Sequence, residues 1–122
     1  MLGQVTKFLL SRNNVDPGTI DDILVGCAYP EGEQGYNIGR LSVFLGGLPN
    51  SVPGATFNRL CGSSMQAILT AAAHIEVGWG ECYLCSGVES MSRIQRRGFN
   101  WSPHPELEEN YPDAYVNMGI TA

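Results

Sequence analysis

One stretch of this chain carries the residue types and spacing of a covalent catalyst: Asn58-Arg59-Leu60-Cys61-Gly62-Ser63-Ser64-Met65-Gln66-Ala67. The pattern predicts a strand feeding directly into a helix, with Cys61 at the junction. The first-turn N–H groups of a helix lack intrahelical partners and carry partial positive charge. A thiol placed there is shifted toward thiolate, the nucleophilic form. Gly62 removes side-chain bulk beside the sulfur, and Ser63 and Ser64 can cap the helix. A tight strand–turn–helix also leaves the Cys61 backbone N–H available to a developing oxyanion. A cysteine at this point could equally be a small core residue; the junction context favours the nucleophile.

A nucleophilic cysteine needs a base, and the sequence supplies no evident one. His74 lies 13 residues further along the same predicted helix, about 20 Å away at 1.5 Å per residue. His104 sits in a Pro-rich stretch and is the remaining candidate. The other thiols are Cys27, Cys82 and Cys85. Cys82 and Cys85 form a C-x-x-C, but on a predicted strand residues three apart point to opposite faces. No metal site is expected from them. They read as small apolar core residues, and without a secretory signal all four cysteines are expected as free thiols.

The elements that must position Cys61 follow from periodicity and turn residues. Leu2, Val5, Phe8 and Leu9 recur at helical spacing and predict an amphipathic helix with these four facing inward. It ends at Asn13-Asn14. Asp16-Pro17 predicts a capped helical turn to about Asp21. The run Ile23–Ala28 predicts a buried strand. A helix is expected from Tyr36 to Leu45, stopped by Gly46-Gly47. Strands are expected over 55–58 and 81–86, flanking a helix from Ser64 to Val77. No charged residue occurs between Met65 and Ile75, so that helix is expected to be covered on both sides, by two sheets or by a sheet and a partner. The order of elements predicts an α/β layered fold. Residues 1–87 are expected to form the unit carrying the nucleophile and 88–122 the start of a loop domain. That second segment holds Arg93, Arg96 and Arg97, then the acidic PELEEN run, expected to be irregular and solvated. One of the arginines is a candidate for an anionic ligand group. The first helix starts without a cap and the final NMGITA run stops without one. Both ends are therefore expected to be cut.

The chain has 122 residues, a net charge of −5 and only 16% charged residues, against about 25% in an average soluble protein. Low charge with 43% hydrophobic residues argues against disorder, and the negative balance argues against a nucleic-acid binder working through a basic face. No apolar run reaches the roughly 18 residues of a membrane span.

The runs GEQGYNIGR, GLPNSVPGATFNRLCGSSMQAI, SGVESMS and MGITA resemble the N-terminal half of the thiolases (acetyl-CoA acyltransferases). GEQG and NRLCGSS are closest in kind to the degradative, β-oxidation branch. The resemblance implies part of a layered α-β-α-β-α fold. It implies that Cys61 accepts an acyl group from a 3-ketoacyl-CoA, releasing acetyl-CoA, and that free CoA then takes the acyl group. Coenzyme A is thus substrate, and no cofactor or metal is implied. Ser63 completes the family's C-x-S loop and Met118 matches the M-G-x-T-A motif near the pantetheine and acyl tunnel; both are substrate-binding candidates. Asn117 stands where some members carry His. The family's Asn, GHP and C-x-G catalytic loops and its first strand are not found in these residues. The 122 residues alone are therefore expected to show no turnover. A homodimer or homotetramer, a β-oxidation multienzyme partner, and a cytoplasmic, mitochondrial-matrix or peroxisomal-matrix setting are also implied. The weaker alternatives are a related ketoacyl synthase and a non-catalytic thiolase-like lipid carrier or dimerisation module.

Overall fold

A computed structural model describes residues 1–122. The chain runs α1 (Leu2–Asn13), β1 (Asp22–Gly26), α2 (Ile38–Gly46), β2 (Gly54–Phe57), α3 (Ser63–Glu76), β3 (Tyr83–Gly87), α4 (Pro105–Asn110) and α5 (Met118–Thr121), with 3₁₀ turns at Pro17–Thr19, Gly32–Gln34 and Pro112–Tyr115. The three strands form one parallel sheet in the order β2-β1-β3. Val25 is opposite Thr56 and Ser86, and Gly26 is opposite Phe57 and Gly87. This is an α/β fold with a parallel sheet, as the element order predicts.

The central strand explains the layering. Ile23, Leu24 and Val25 are all buried, as expected of a parallel strand covered on both faces. Ile23 and Val25 join Leu10, Ile38, Val43 and Leu48 in one core cluster; Leu24 joins Ala67 and Ala71 in another. α1 and α2 therefore lie on one face and α3 on the other. The connection β1–α2–β2 crosses the sheet in one direction and β2–α3–β3 in the opposite direction. Two crossovers of the preferred right hand that run in opposite directions must place their helices on opposite faces.

Several boundaries differ from the sequence expectation, and side chains cause each shift. β1 stops at Gly26 because the Ala28 and Tyr29 N–H groups are taken by the Glu89 carboxylate at 2.8 and 3.1 Å. α2 starts at Ile38, not Tyr36. Tyr36 is left-handed at φ 58, and Asn37 caps the helix by accepting from the Arg40 N–H at 3.2 Å. Its end follows the expected glycine stop, with Gly47 at φ 75. β3 starts at Tyr83 because the Asp21 carboxylate captures the N–H groups of Glu81 and Cys82 at 2.7 and 2.9 Å.

Three expectations are corrected. In α1 the buried residues are Gly3, Thr6 and Leu10, while Val5, Phe8 and Leu9 are exposed. Close helix approach decides this: a Cβ on Gly3 would lie 2.6 Å from Leu45 Cβ, and one on Gly46 would lie 2.7 Å from Thr6 Cγ2. Small residues, not the bulky apolar ones, face α2. In α3 only the Ala67/Ala71 side is covered; Met65, Ile68 and Leu69 are 59%, 50% and 55% exposed. The PELEEN run is a short helix, α4, with Pro at its start and Glu106 and Glu108 in its first turn, where acidic groups complement the helix dipole.

Candidate active site

Cys61 is exposed and lies in the turn between the carboxyl end of β2 and α3. The turn is held by its own polar groups. Asn58 Oδ1 accepts from the Leu60 N–H at 3.0 Å. The Ser63 hydroxyl donates to the Leu60 carbonyl at 2.5 Å and accepts from the Arg59 N–H at 3.0 Å. The Gly62 and Ser63 N–H groups return to the carbonyls of Arg59 and Leu60, each at 3.0 Å. These bonds keep Leu60 in the left-handed region, at φ 47, where a leucine is rare. The backbone therefore turns sharply just before Cys61 and enters α3 just after it. Gly62 caps the helix with φ −87, and a Cβ there would come no closer than 3.4 Å to a neighbouring atom. The fold itself does not demand glycine at that position.

A cleft of about 480 Å³ opens beside Cys61, lined among others by Ala28, Tyr29, Ser63, Val88, Glu89 and Arg96. It lies beyond the carboxyl ends of β1 and β3, where Gly26 and Gly87 also line it. The chain leaves β1 and β2 toward opposite faces here, the position at which open parallel sheets hold their ligands. A size of several hundred Å³ suits a small-molecule site.

Glu89 was not singled out by the sequence reasoning, yet it is the most connected side chain of the cleft. Its carboxylate accepts from the Ala28 and Tyr29 N–H groups and from Gln34 Nε2, the last at 2.6 Å. Gln34 in turn accepts from the Ser90 N–H at 2.6 Å and donates to the Tyr29 carbonyl at 2.8 Å. The signal was present in SGVESMS: a lone acid directly after an apolar strand, at its ligand-facing end. Glu31 and Glu33 fasten the same two segments, accepting from the Phe99 N–H at 2.5 Å and pairing with Arg93 at 2.6 Å. Ile94, 2% exposed, anchors that segment.

The remaining candidates are dispersed. Ser63 lines the cleft, but its hydroxyl is engaged within the turn. Met118 begins α5 and is exposed; it is not among the residues lining the cleft. Asn117 caps α5, accepting from the Gly119 N–H at 2.9 Å. His74 lies in the last turn of α3, at the end away from Cys61, packed against Trp79 and Tyr83 with ring centroids 5.1 and 5.5 Å apart. His104 is exposed and precedes α4. Of the three arginines, Arg93 pairs with Glu33, and Arg97 donates to the Tyr115 carbonyl at 2.6 Å. Arg96 alone reaches the cleft.

The other thiols lie in different surroundings. Cys27 is buried, and its pKa is pushed up to about 11 by desolvation and by the neighbouring Glu89 carboxylate. Burial also raises the pKa of Cys85. Cys82 packs against the α1/α2 side of the sheet and Cys85 against the α3 side, so the C-x-x-C diverges.

Comparison with known proteins shows the family. The family model described as the thiolase N-terminal domain matches residues 1–121. A 3-ketoacyl-CoA thiolase of Saccharophagus degradans is 47% identical over 115 residues, covering 93% of this chain and 29% of that protein. One from Pseudoalteromonas translucida is 48% identical over 117 residues, covering 95% of this chain and 30% of that protein. The crystal structure of Bacillus anthracis acetyl-CoA acetyltransferase superposes with a TM-score of 0.65 at 30% identity, over 82% of this chain and 27% of that one. The chain thus spans less than a third of the length of these relatives. By sequence and by fold, it belongs to the thiolase family, as an N-terminal domain.

Proposed function

We propose that this chain supplies the nucleophile of a thiolase that cleaves 3-ketoacyl-CoA, as its relatives' names describe. The observation that carries the reading is an exposed Cys61 at the entry of α3, opening onto a cleft at the carboxyl ends of the strands. The Cys61 thiolate attacks the 3-keto carbonyl. The bond between C2 and C3 breaks, and its electron pair leaves as the enolate of acetyl-CoA, which takes up a proton. The acyl group remains as a thioester on Cys61. The thiol of a second CoA gives up its proton, balancing the one the enolate took up, and attacks that thioester as thiolate; Cys61 leaves as thiolate. Arg96, the one arginine lining the cleft, offers a cationic contact to an anionic group of CoA.

The exposed Met65/Ile68/Leu69 face of α3 supports self-association beside the site, in a dimer or tetramer. Residues spaced three and four apart form one continuous helix face, and an apolar face next to a cleft marks a contact surface.

Protection from alkylation tests the substrate class. Saturating acetyl-CoA or a longer acyl-CoA is expected to slow iodoacetamide labelling of Cys61 and to leave Cys82 unaffected. Equal labelling with and without acyl-CoA contradicts the reading.

A further inference from the structure

Glu89 lies across the cleft wall from the turn that carries Cys61, and a continuous set of hydrogen bonds joins them. Glu89 Oε2 accepts from the Ala28 N–H at 2.8 Å. The Ala28 carbonyl, on the adjacent peptide, accepts from Asn58 Nδ2 at 2.9 Å. Asn58 Oδ1 accepts from the Leu60 N–H at 3.0 Å. Leu60 immediately precedes Cys61 and is left-handed at φ 47, a conformation that costs energy for a leucine and persists only where neighbours fix it.

We infer that Glu89 and Asn58 are positioning residues for the nucleophile, acting on Cys61 through Ala28 and the Leu60 N–H; this rests on the reading of Cys61 as the acyl acceptor. Each member has one job in the relay. Glu89 is itself fixed, because its other oxygen accepts from the Tyr29 N–H and Gln34 Nε2 at 3.1 and 2.6 Å. It therefore presents a stationary anionic acceptor, and charge-assisted bonds of this kind are the stronger ones. Ala28 is held from both sides, N–H to Glu89 and carbonyl to Asn58. Asn58 uses both ends of its amide, which no other side chain of its size can do. The Asn58 amide thus couples two separate loops, β1–α2 and β2–α3. The left-handed Leu60 sets the direction in which Cys61 meets the amino end of α3. Loss of any link relaxes Leu60 and shifts Cys61 relative to the amino end of α3. Because Cys61 is already exposed, easier access adds little, and the rate of its alkylation reports how the turn presents the sulfur beside the amino end of α3.

The test uses the 122-residue chain, iodoacetamide and peptide mapping, with Cys85, on the α3 side of the sheet and away from Glu89, as the internal reporter of global loosening. Glu89→Gln and Asn58→Ala are each expected to slow Cys61 labelling about fivefold, the scale of a helix-terminus interaction, while Cys85 stays protected. Asn58→Asp keeps the acceptor for Leu60 and loses the donor to Ala28; it is expected to behave like Asn58→Ala. Glu89→Asp retains two anionic acceptors and is expected to recover part of the rate. The double variant Glu89→Gln/Asn58→Ala is expected to be no slower than the slower single variant, because both break one relay. An unchanged Cys61 rate in Glu89→Gln, wild-type behaviour of Asn58→Asp, multiplied effects in the double variant, or labelling of Cys85 that rises in step with altered Cys61 labelling would each overturn the relay. If Glu89→Gln does not fold, the comparison of Asn58→Asp with Asn58→Ala decides alone, since Asn58 is exposed and Asp is its isostere. In the wild type, a Cys61 slower than Cys82 would instead count against the nucleophile reading, so the two failures are separable.

Discussion

The backbone of Ser64 rests directly on Gly26: a Cβ at Gly26 would lie 2.8 Å from Ser64 Cα and 2.5 Å from the Ser63 carbonyl carbon. On the neighbouring strand, a Cβ at Gly87 would overlap the Ser64 side chain, 3.1 Å from its Cβ. Two glycines at the ends of β1 and β3 thus let the amino end of α3 sit on the sheet and bring Cys61 over the strand ends.

Filling either glycine is therefore expected to push α3 outward. Gly26→Ala should lower unfolding stability by about 1–3 kcal/mol, the range for overpacking a tight contact, with a smaller loss for Gly87→Ala, where a side chain can turn aside. Urea denaturation measures both. Gly78→Ala is the control: nothing lies within 4 Å of its Cβ position, so only its left-handed φ opposes the change. A Gly26→Ala midpoint equal to wild type contradicts this seating of α3.

Cys27 gives a pH prediction. Its thiol is held protonated in the folded state, with a pKa raised from the ordinary 9.0 to about 11 by burial and the Glu89 carboxylate. The unfolded chain releases this proton first. The contribution is fully present below pH 9 and is lost as pH rises through 11. Stability should fall across that window, and Cys27→Ser should flatten the fall. A Cys27→Ser profile parallel to wild type would show that other groups govern the alkaline limb.

Much of this fold was legible in the sequence because its signals are local. Ile23–Val25 is apolar on consecutive residues, Gly46-Gly47 stops α2, and the uncharged run after Cys61 marks α3. What escaped depends on contacts between distant segments. Nothing in the periodicity of α1 says that Gly3 and Thr6, rather than Val5 and Phe8, meet α2; that follows from how closely α2 approaches. Glu89 escaped for the same reason. Its partners Ala28, Tyr29 and Gln34 lie about sixty residues earlier in the chain and offer mostly backbone N–H groups, which no side-chain pattern reveals. The Cys61 turn was readable because strand, cysteine, glycine and serine are adjacent in the chain.

The exposed face of α3 should drive association. Light scattering at tens of micromolar, roughly the range that populates a μM-affinity interface, is expected to give a mass above monomer. Ile68→Lys and Leu69→Lys should each lower it. A clean monomer for the wild-type chain at that concentration contradicts this.

Turnover by these 122 residues should be very slow. Neither His74 nor His104 lines the cleft, and both Glu89 oxygens are already engaged by donors. A missing general acid–base group costs about 10²–10⁴ in rate. Steady-state thiolysis of acetoacetyl-CoA is expected to be undetectable. CoA-dependent cleavage that disappears in Cys61→Ala and in His104→Ala would show that His104 reaches the cleft after all.

The central claim is that Cys61 accepts the acyl group. Incubating the folded chain with acetyl-CoA, which acylates a thiolate by thioester exchange and breaks no carbon–carbon bond, then quenching in acid and mapping the peptides by mass spectrometry tests it directly. The account predicts one acetyl thioester on the Cys61 peptide, labile to hydroxylamine and absent from Cys61→Ala. An adduct on Cys27, Cys82 or Cys85, or none on chain whose Cys61 still reacts with iodoacetamide, would contradict it.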